Sequence, residues 1–174
     1  MEKELDLVRQ AKTGDVSAFA KLYEQVYEDM YRYAFYMLQH TQDAQDAVSD
    51  TVADAFTSIR KLRGEEAFRG WIFAILANKC RRKRKEYVNR PIELSEQLWE
   101  PKENNPTVQK SSEAEHAVIR QLFFSLPEED REIIALHLFA GYTSKEIAKK
   151  LHMNENTVRS KESRALKKLV EQYW

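Results

Sequence analysis

Apolar residues recur at spacings of three and four along both ends of this chain, and little interrupts them. One stripe runs Phe19, Leu22, Tyr23, Val26, Met30, Tyr33, Ala34, Met37. A second runs Ala44, Ala47, Val48, Val52, Ala55, Phe56, Ile59, and a third Phe68, Trp71, Ile72, Ile75, Leu76. That period lines one face of a helix and cannot line one face of a strand. Breakers are scarce, with four Gly and four Pro among 174 residues. An all-β fold would need a turn signal every ~8–12 residues and is excluded. The expected fold is all-α.

The stripes and breakers divide the chain into two small helical domains joined by a flexible linker. A short helix is expected over 2–12. Thr41 reads as the N-cap of the second stripe, and Gly64 interrupts before the third. Together these helices form a bundle ending near Tyr87, giving a first domain over 1–88. Within 89–112, Pro91, Pro101 and Pro106 break any long helix, and Asn, Glu, Gln and Ser fill the gaps around Ile92, Leu94, Leu98 and Trp99. A connector of about 22 residues spans at most ~75 Å. The second domain, 113–174, has a helix over Glu113–Phe124. Another opens at Pro127 and carries Ile133, Ile134, Leu136 and Leu138. Thr143 to Glu146 reads as a capping box, His152-Met153-Asn154 as a tight break, and about Glu155 to Gln172 as a last helix.

Apolar residues make up 43% of the chain, enough to bury a core and to exclude disorder over most of it. The single cysteine, Cys80, cannot form an internal disulfide and fits a reducing compartment. No apolar signal core or run of roughly 18 apolar residues is present, so a cytoplasmic location is expected. The formal net charge of zero hides an alternation. Residues 1–60 sum to −5, 61–90 to +7, 91–132 to −6 and 133–174 to +4. Polyanion binding follows the local field and not the total charge, so two separate basic surfaces are expected.

The sharpest motif is a helix-turn-helix over 143–164. Ala148 is small where the two helices must cross, Ile147, Leu151 and Met153 flank the turn, and Val158 anchors the second helix. The other faces of that helix carry Asn156, Thr157, Arg159, Ser160, Ser163, Arg164 and Lys167, types that reach phosphates and base edges in a major groove. An ordinary helical hairpin with a solvated cationic face would show the same spacing. The turn position usually held by Gly is His152, which must adopt a left-handed backbone.

A second motif is the run Lys79-Cys-Arg-Arg-Lys-Arg-Lys85. Six of its seven residues are cationic and surround a helix at ~100° per residue, so neighbours repel. Only Glu86 is close in sequence to relieve this. A polyanion would neutralise the cluster and release counterions; a solvated helix end is the bland alternative. Phe68 and Trp71 offer surfaces for unpaired bases, or simply belong to the core. A third constellation, Asp43, Asp46, Asp50 and Asp54, lines one helix face opposite the apolar stripe. It reads either as a solvated face or as a docking surface for a basic partner. Carboxylates on one helix do not converge on an ion without a second helix, so no metal is expected. No Gly-rich phosphate loop, Cys-x-x-Cys or nucleophile elbow is present. His40, His116, His137 and His152 are scattered, and no enzyme, cofactor or small-molecule substrate is expected.

In order and separation, these parts resemble the extracytoplasmic-function (ECF) group of bacterial RNA polymerase sigma factors over nearly the whole chain. The likeness rests on Asp43-Ala-Gln-Asp-Ala-Val-Ser-Asp-Thr51, on Phe68-Arg-Gly-Trp-Ile-Phe73 followed by Asn78 and the basic run, on Leu126-Pro127, and on Thr157-Val-Arg-Ser160 with Arg164-Ala165.

That resemblance implies a region-2 module over 1–88 that recognises and helps melt the −10 promoter element. Asp43, Asp46 and Asp50 would grip the β′ clamp coiled coil of polymerase. The loop around Leu62–Glu66, with Leu62, Arg63, Gly64 and Glu65, would help form a pocket for a flipped base. Trp71, Asn78, Lys79, Arg81, Arg82, Lys83 and Arg84 would contact promoter DNA. It also implies a region-4 module over 113–174. Its recognition helix, through Asn156, Thr157, Arg159, Ser160, Ser163, Arg164 and Lys167, would read the −35 element, while another face meets the β flap. A membrane-bound anti-sigma factor is an expected further partner. Gln45, Ala47, Asn156 and Glu162 depart from types more usual in the group. A stand-alone helix-turn-helix regulator, binding DNA without polymerase, is the alternative reading; an RNA-binding adaptor would explain the basic run but not the helix-turn-helix.

Overall fold

The computed structural model describes residues 2–88 and 113–173. The expected connector, 89–112, lies outside them. The described residues contain helices and no strand, and the helices fall into two compact units, α1–α4 and α5–α8.

In the first unit the helices are α1 (Glu2–Lys12), α2 (Val16–Leu38), α3 (Thr41–Ser58) and α4 (Phe68–Val88). Asp15 caps α2, its carboxylate accepting from the Ala18 amide at 3.0 Å. The cap of α3 is His40, not Thr41. His40 holds an extended backbone and its Nδ1 accepts from the Asp43 amide at 3.3 Å, which leaves Thr41 as the first helical residue. The first stripe is largely buried, as Phe19, Leu22, Val26, Met30, Tyr33 and Ala34 pack against Ala44, Ala47, Val48 and Ala55 of α3 and Ile72, Phe73 and Leu76 of α4. The rings of Tyr33 and Phe73 meet edge to face, with centroids 6.0 Å apart. Phe56 departs from the expected pattern: it stays partly exposed and sets its ring edge-on against Phe19 at 5.2 Å. Between α3 and α4 the chain makes two 3₁₀ turns, Ile59–Lys61 and Glu65–Ala67, separated by Leu62, Arg63 and Gly64, the last at φ 81°.

The second unit holds α5 (Glu113–Ser125), α6 (Glu128–Ala135), α7 (Ser144–Leu151) and α8 (Glu155–Tyr173), with α8 packed on the other three. Pro127 caps α6. Ile133, Ile134 and Leu136 are buried as the periodicity predicts, but the helix loosens into a π turn over Leu136–Ala140, and Leu138 faces solvent. The wider turn rotates Leu138 off the apolar stripe, an event that residue type alone does not signal. Lys161 ties α8 to α6, its Nζ lying 2.7 Å from Glu129 and 3.2 Å from Asp130. Those two carboxylates favour the ammonium form and raise its pKa.

Candidate nucleic-acid and partner interfaces

The helix-turn-helix forms from the residues expected to make it. Thr143 and Glu146 close a reciprocal capping box: the Thr143 hydroxyl accepts from the Glu146 amide at 3.3 Å, and the Thr143 amide donates to Glu146 Oε2 at 2.8 Å. Hydrogen bonds from the Thr143 backbone and then its side chain hold the Glu146 carboxyl below its ordinary pKa. Helix α7 ends at His152, which takes the left-handed conformation at φ 55°, ψ 42°, and the Met153 amide donates to the Ala148 carbonyl at 2.9 Å. Asn154 then opens α8 by accepting from the Asn156 amide at 2.8 Å. Ile147, Ala148, Val158 and Ala165 are buried at the crossing.

His152 is exposed and occupies a conformation that only Gly adopts without a Cβ penalty. Replacing it with Gly relieves that strain but adds freedom to the unfolded chain. The expected net gain for the second unit is about 0.5 kcal/mol, read as a higher urea midpoint by circular dichroism. An unchanged or lower midpoint would mean that the His side chain offsets its backbone strain.

All seven residues expected to reach a −35 element are solvent-exposed on α8. At ~100° per residue they span an arc of about 160°, with Val158 and Ala165 opposite. Arg159 leans on Glu155 at 2.6 Å and Lys167 on Glu171 at 3.6 Å, both exposed pairs. Such pairs are weak and yield to a stronger anion. Glu162, the acid that looks out of place in a recognition helix, points away from this face. Its Oε2 accepts from Ser144 at 3.1 Å, and its Oε1 lies 3.2 Å from His137 Nδ1.

The first unit gathers the other expected residues on α3, α4 and the loop between them. Leu62 is a core side chain, so it shapes that loop without reaching into solvent; its carbonyl accepts from Lys12 Nζ at 3.0 Å. Arg63 is exposed, while Gly64 and Glu65 are half-buried, Glu65 lying 3.8 Å from Lys12. Phe68 is only 2% exposed and is part of the core, which removes it as a stacking surface; Trp71 beside it is half-buried. Asn78 and Arg82 are exposed, and Arg81 donates to Asn78 Oδ1 at 3.1 Å. Arg84 is half-buried.

Glu86 is not the only acid relieving the basic run. Lys79 Nζ lies 2.6 Å from Asp54 Oδ2 and Lys83 Nζ 3.4 Å from Asp43 Oδ1, both across from α4 to α3. Burial, and then the Asp43 carboxylate to which its hydroxyl donates, push the Tyr87 phenol upward. Residues far apart in sequence thus pair, which spacing along one helix could not reveal. The row of four acids is accordingly not uniform. Asp43 is a half-buried hub, Asp54 is the Lys79 counter-ion, and Asp46 and Asp50 face solvent. Ala47 is fully buried, its small side chain allowing α3 to lie close to its neighbours. Among the described residues no cluster of three or more His, Cys, Asp or Glu could hold a metal ion, and no helix is long and apolar enough to cross a membrane.

Comparison with known proteins matches sigma-70 region 2 to residues 22–87 and sigma-70 region 4 to residues 116–169. RNA polymerase sigma factor SigV of Bacillus subtilis is 30% identical over 143 residues, covering 80% of this chain and 81% of that protein. The chain belongs to the ECF RNA polymerase sigma factors. ECF RNA polymerase sigma factor SigM of Mycobacterium tuberculosis is 25% identical to this sigma factor over 158 residues, 90% of it and 78% of SigM. The sigma factor RpoE of Bartonella quintana, solved in complex with the anti-sigma factor NepR, shares the fold at TM-score 0.68 and 21% identity, covering 90% of this sigma factor and 97% of RpoE. CnrH, solved with the cytosolic domain of CnrY, also gives TM-score 0.68, at 23% identity and covering 97% and 96% of the two chains.

Proposed function

We propose that this sigma factor binds bacterial core polymerase and directs it to promoters by reading two DNA elements with two separate modules, 1–88 and 113–174. The exposed polar arc of α8, anchored from behind by Val158 and Ala165, carries the reading. Through it, Asn156, Thr157, Arg159, Ser160, Ser163, Arg164 and Lys167 meet the major groove of the −35 element. Asn78, Lys79 and Arg81–Arg84, with Trp71 and the loop at Leu62–Glu65, engage the −10 element and help hold an unpaired base. Unstacking costs a few kcal/mol per base step, and capture of the flipped base offsets part of it. Asp46 and Asp50, with Asp43 beside them, face the β′ clamp coiled coil; the second unit also meets the β flap.

The two elements lie on the order of 50 Å apart. Holding both modules on one polymerase converts two weak contacts into one strong one through effective concentration. The protein acts in the cytoplasm as a binding subunit and not as an enzyme. RpoE solved with the anti-sigma factor NepR supports an anti-sigma partner here as well. In run-off transcription with bacterial core polymerase, the purified chain is expected to create a start site that core alone does not use. An unchanged start-site pattern, or no association with core, would sink this reading.

A further inference from the structure

Two of the lysines assigned to promoter DNA are already occupied. Lys79 and Lys83 stand one turn apart on α4, and their side chains are only 18% and 24% exposed. Each ammonium group faces an α3 carboxylate, Lys79 facing Asp54 and Lys83 facing Asp43. Arg82 and Lys85 on the same helix point to solvent. The cationic run is therefore split into an open set and a sequestered set. A lysine already facing a carboxylate must leave it before it can neutralise a phosphate and release a counterion.

The pairs are built to exchange. Asp54 is 60% exposed and Asp43 26%, so a cation arriving from solvent can reach both. The exposed Asp54 makes its pair with Lys79 open to competition, and the Lys83–Asp43 contact is long at 3.4 Å. Asp43 has a second anchor in the Tyr87 hydroxyl, which keeps the carboxylate oriented when Lys83 leaves. Burial and Asp43 keep that phenol protonated and able to donate.

We propose that Asp43 and Asp54 are internal stand-ins for phosphate: in the free chain they hold Lys79 and Lys83 off nucleic acid, and a cationic partner face docking on α3 takes over the carboxylates and releases the lysines. The release step rests on the reading of α3 as the polymerase-facing helix and α4 as the DNA-facing one. Under it, polymerase binding itself completes the −10 surface.

The sequestration is tested on the full chain with a fluorescent oligothymidine, by anisotropy across a salt series. D43N/D54N is expected to bind about tenfold tighter than wild type at low salt. Its slope of log affinity against log salt should steepen by about 1.4, or about 0.7 for each phosphate newly neutralised on a single strand. D46N/D50N removes the same charge from the same helix but frees no lysine, so its slope should stay near wild type. In a K79Q/K83Q background the D43N/D54N gain should vanish. D54N alone, at an exposed position that folding tolerates, should steepen the slope by about 0.7 and keeps the test alive if D43N unfolds. Equal gains from both acid pairs, or a gain that survives K79Q/K83Q, would overturn the proposal in favour of a general field effect. If run-off transcription succeeds while these arms show no difference, the sequestration is lost and the sigma assignment stands. If core polymerase fails to bind while the arms behave as expected, the sequestration stands and polymerase is removed as its trigger.

Discussion

Replacing Arg159 and Arg164 together with Ala is expected to cut transcription from a −35-dependent promoter by about 30-fold or more. Each arginine that reaches a base edge or phosphate contributes about 1–3 kcal/mol. Losing two at the lower bound costs about 2 kcal/mol, or about 30-fold. Against this stands the pair of Arg159 with Glu155, 2.6 Å apart and exposed, whose loss in the wild type on binding DNA costs only a few tenths of a kcal/mol. Both arginines are exposed while Val158 and Ala165 form the anchor, so the double variant should melt like the wild type. That separates lost reading from lost fold. R159K/R164K keeps the charge but not the planar fork, and should recover phosphate binding while leaving base discrimination low. The measurement is run-off transcription with core polymerase on templates with an intact or a scrambled −35 element. Wild type and double variant should differ on the first and converge on the second. Equal output on the intact template would remove α8 as the reading helix.

What makes α8 legible from sequence is local. The capping box at Thr143–Glu146, the small Ala148, the anchor Val158 and the break at His152 all act within about one helical turn of their partners. Spacing suffices for such features, and the left-handed backbone demanded of His152 is present. The helices of the first unit were legible for the same reason. What spacing could not show was which helix faces which. Along the sequence the basic run has only Glu86 within reach, because Asp54 and Asp43 lie in another helix, 25 and 40 residues earlier. Glu162 departs from the types usual at its position, and its partners, Ser144 and His137, approach from two other segments. Thr41 lost the cap of α3 to His40 because a histidine nitrogen can accept an amide hydrogen bond as a hydroxyl can, which cap preferences weight lightly. Phe68 and Trp71, three positions apart, differ sharply in burial because only one points between α4 and its neighbours.

Asp43 and Asp54 are paired across to α4, which leaves Asp46 and Asp50 as the unpaired acids of the proposed docking face, and the second large effect is expected there. Reversing the charge of Asp46 and Asp50 together, as D46K/D50K, is expected to weaken binding to core polymerase about 100-fold. Both carboxylates are exposed; Asp46 accepts from Gln42 in the same helix, at 3.1 Å, and among the described residues neither meets a cation. Their charge is free for a basic surface, unlike that of Asp43 and Asp54. Reversal deletes two attractions and adds two repulsions, and like charges set against each other at an interface cost several kcal/mol. About 3 kcal/mol corresponds to the stated loss. Because the contact is exposed, much of the penalty should fade as salt rises from about 0.05 to 0.5 M and the screening length shortens. E4K/E24K makes the same net charge change at exposed positions on α1 and α2 and should bind core nearly as wild type does. Native mass measurement of the chain with core polymerase, at both salt concentrations, reads all three proteins. If D46K/D50K and E4K/E24K lose affinity equally, net charge and not the α3 face governs association, and the docking surface must be sought elsewhere on the molecule.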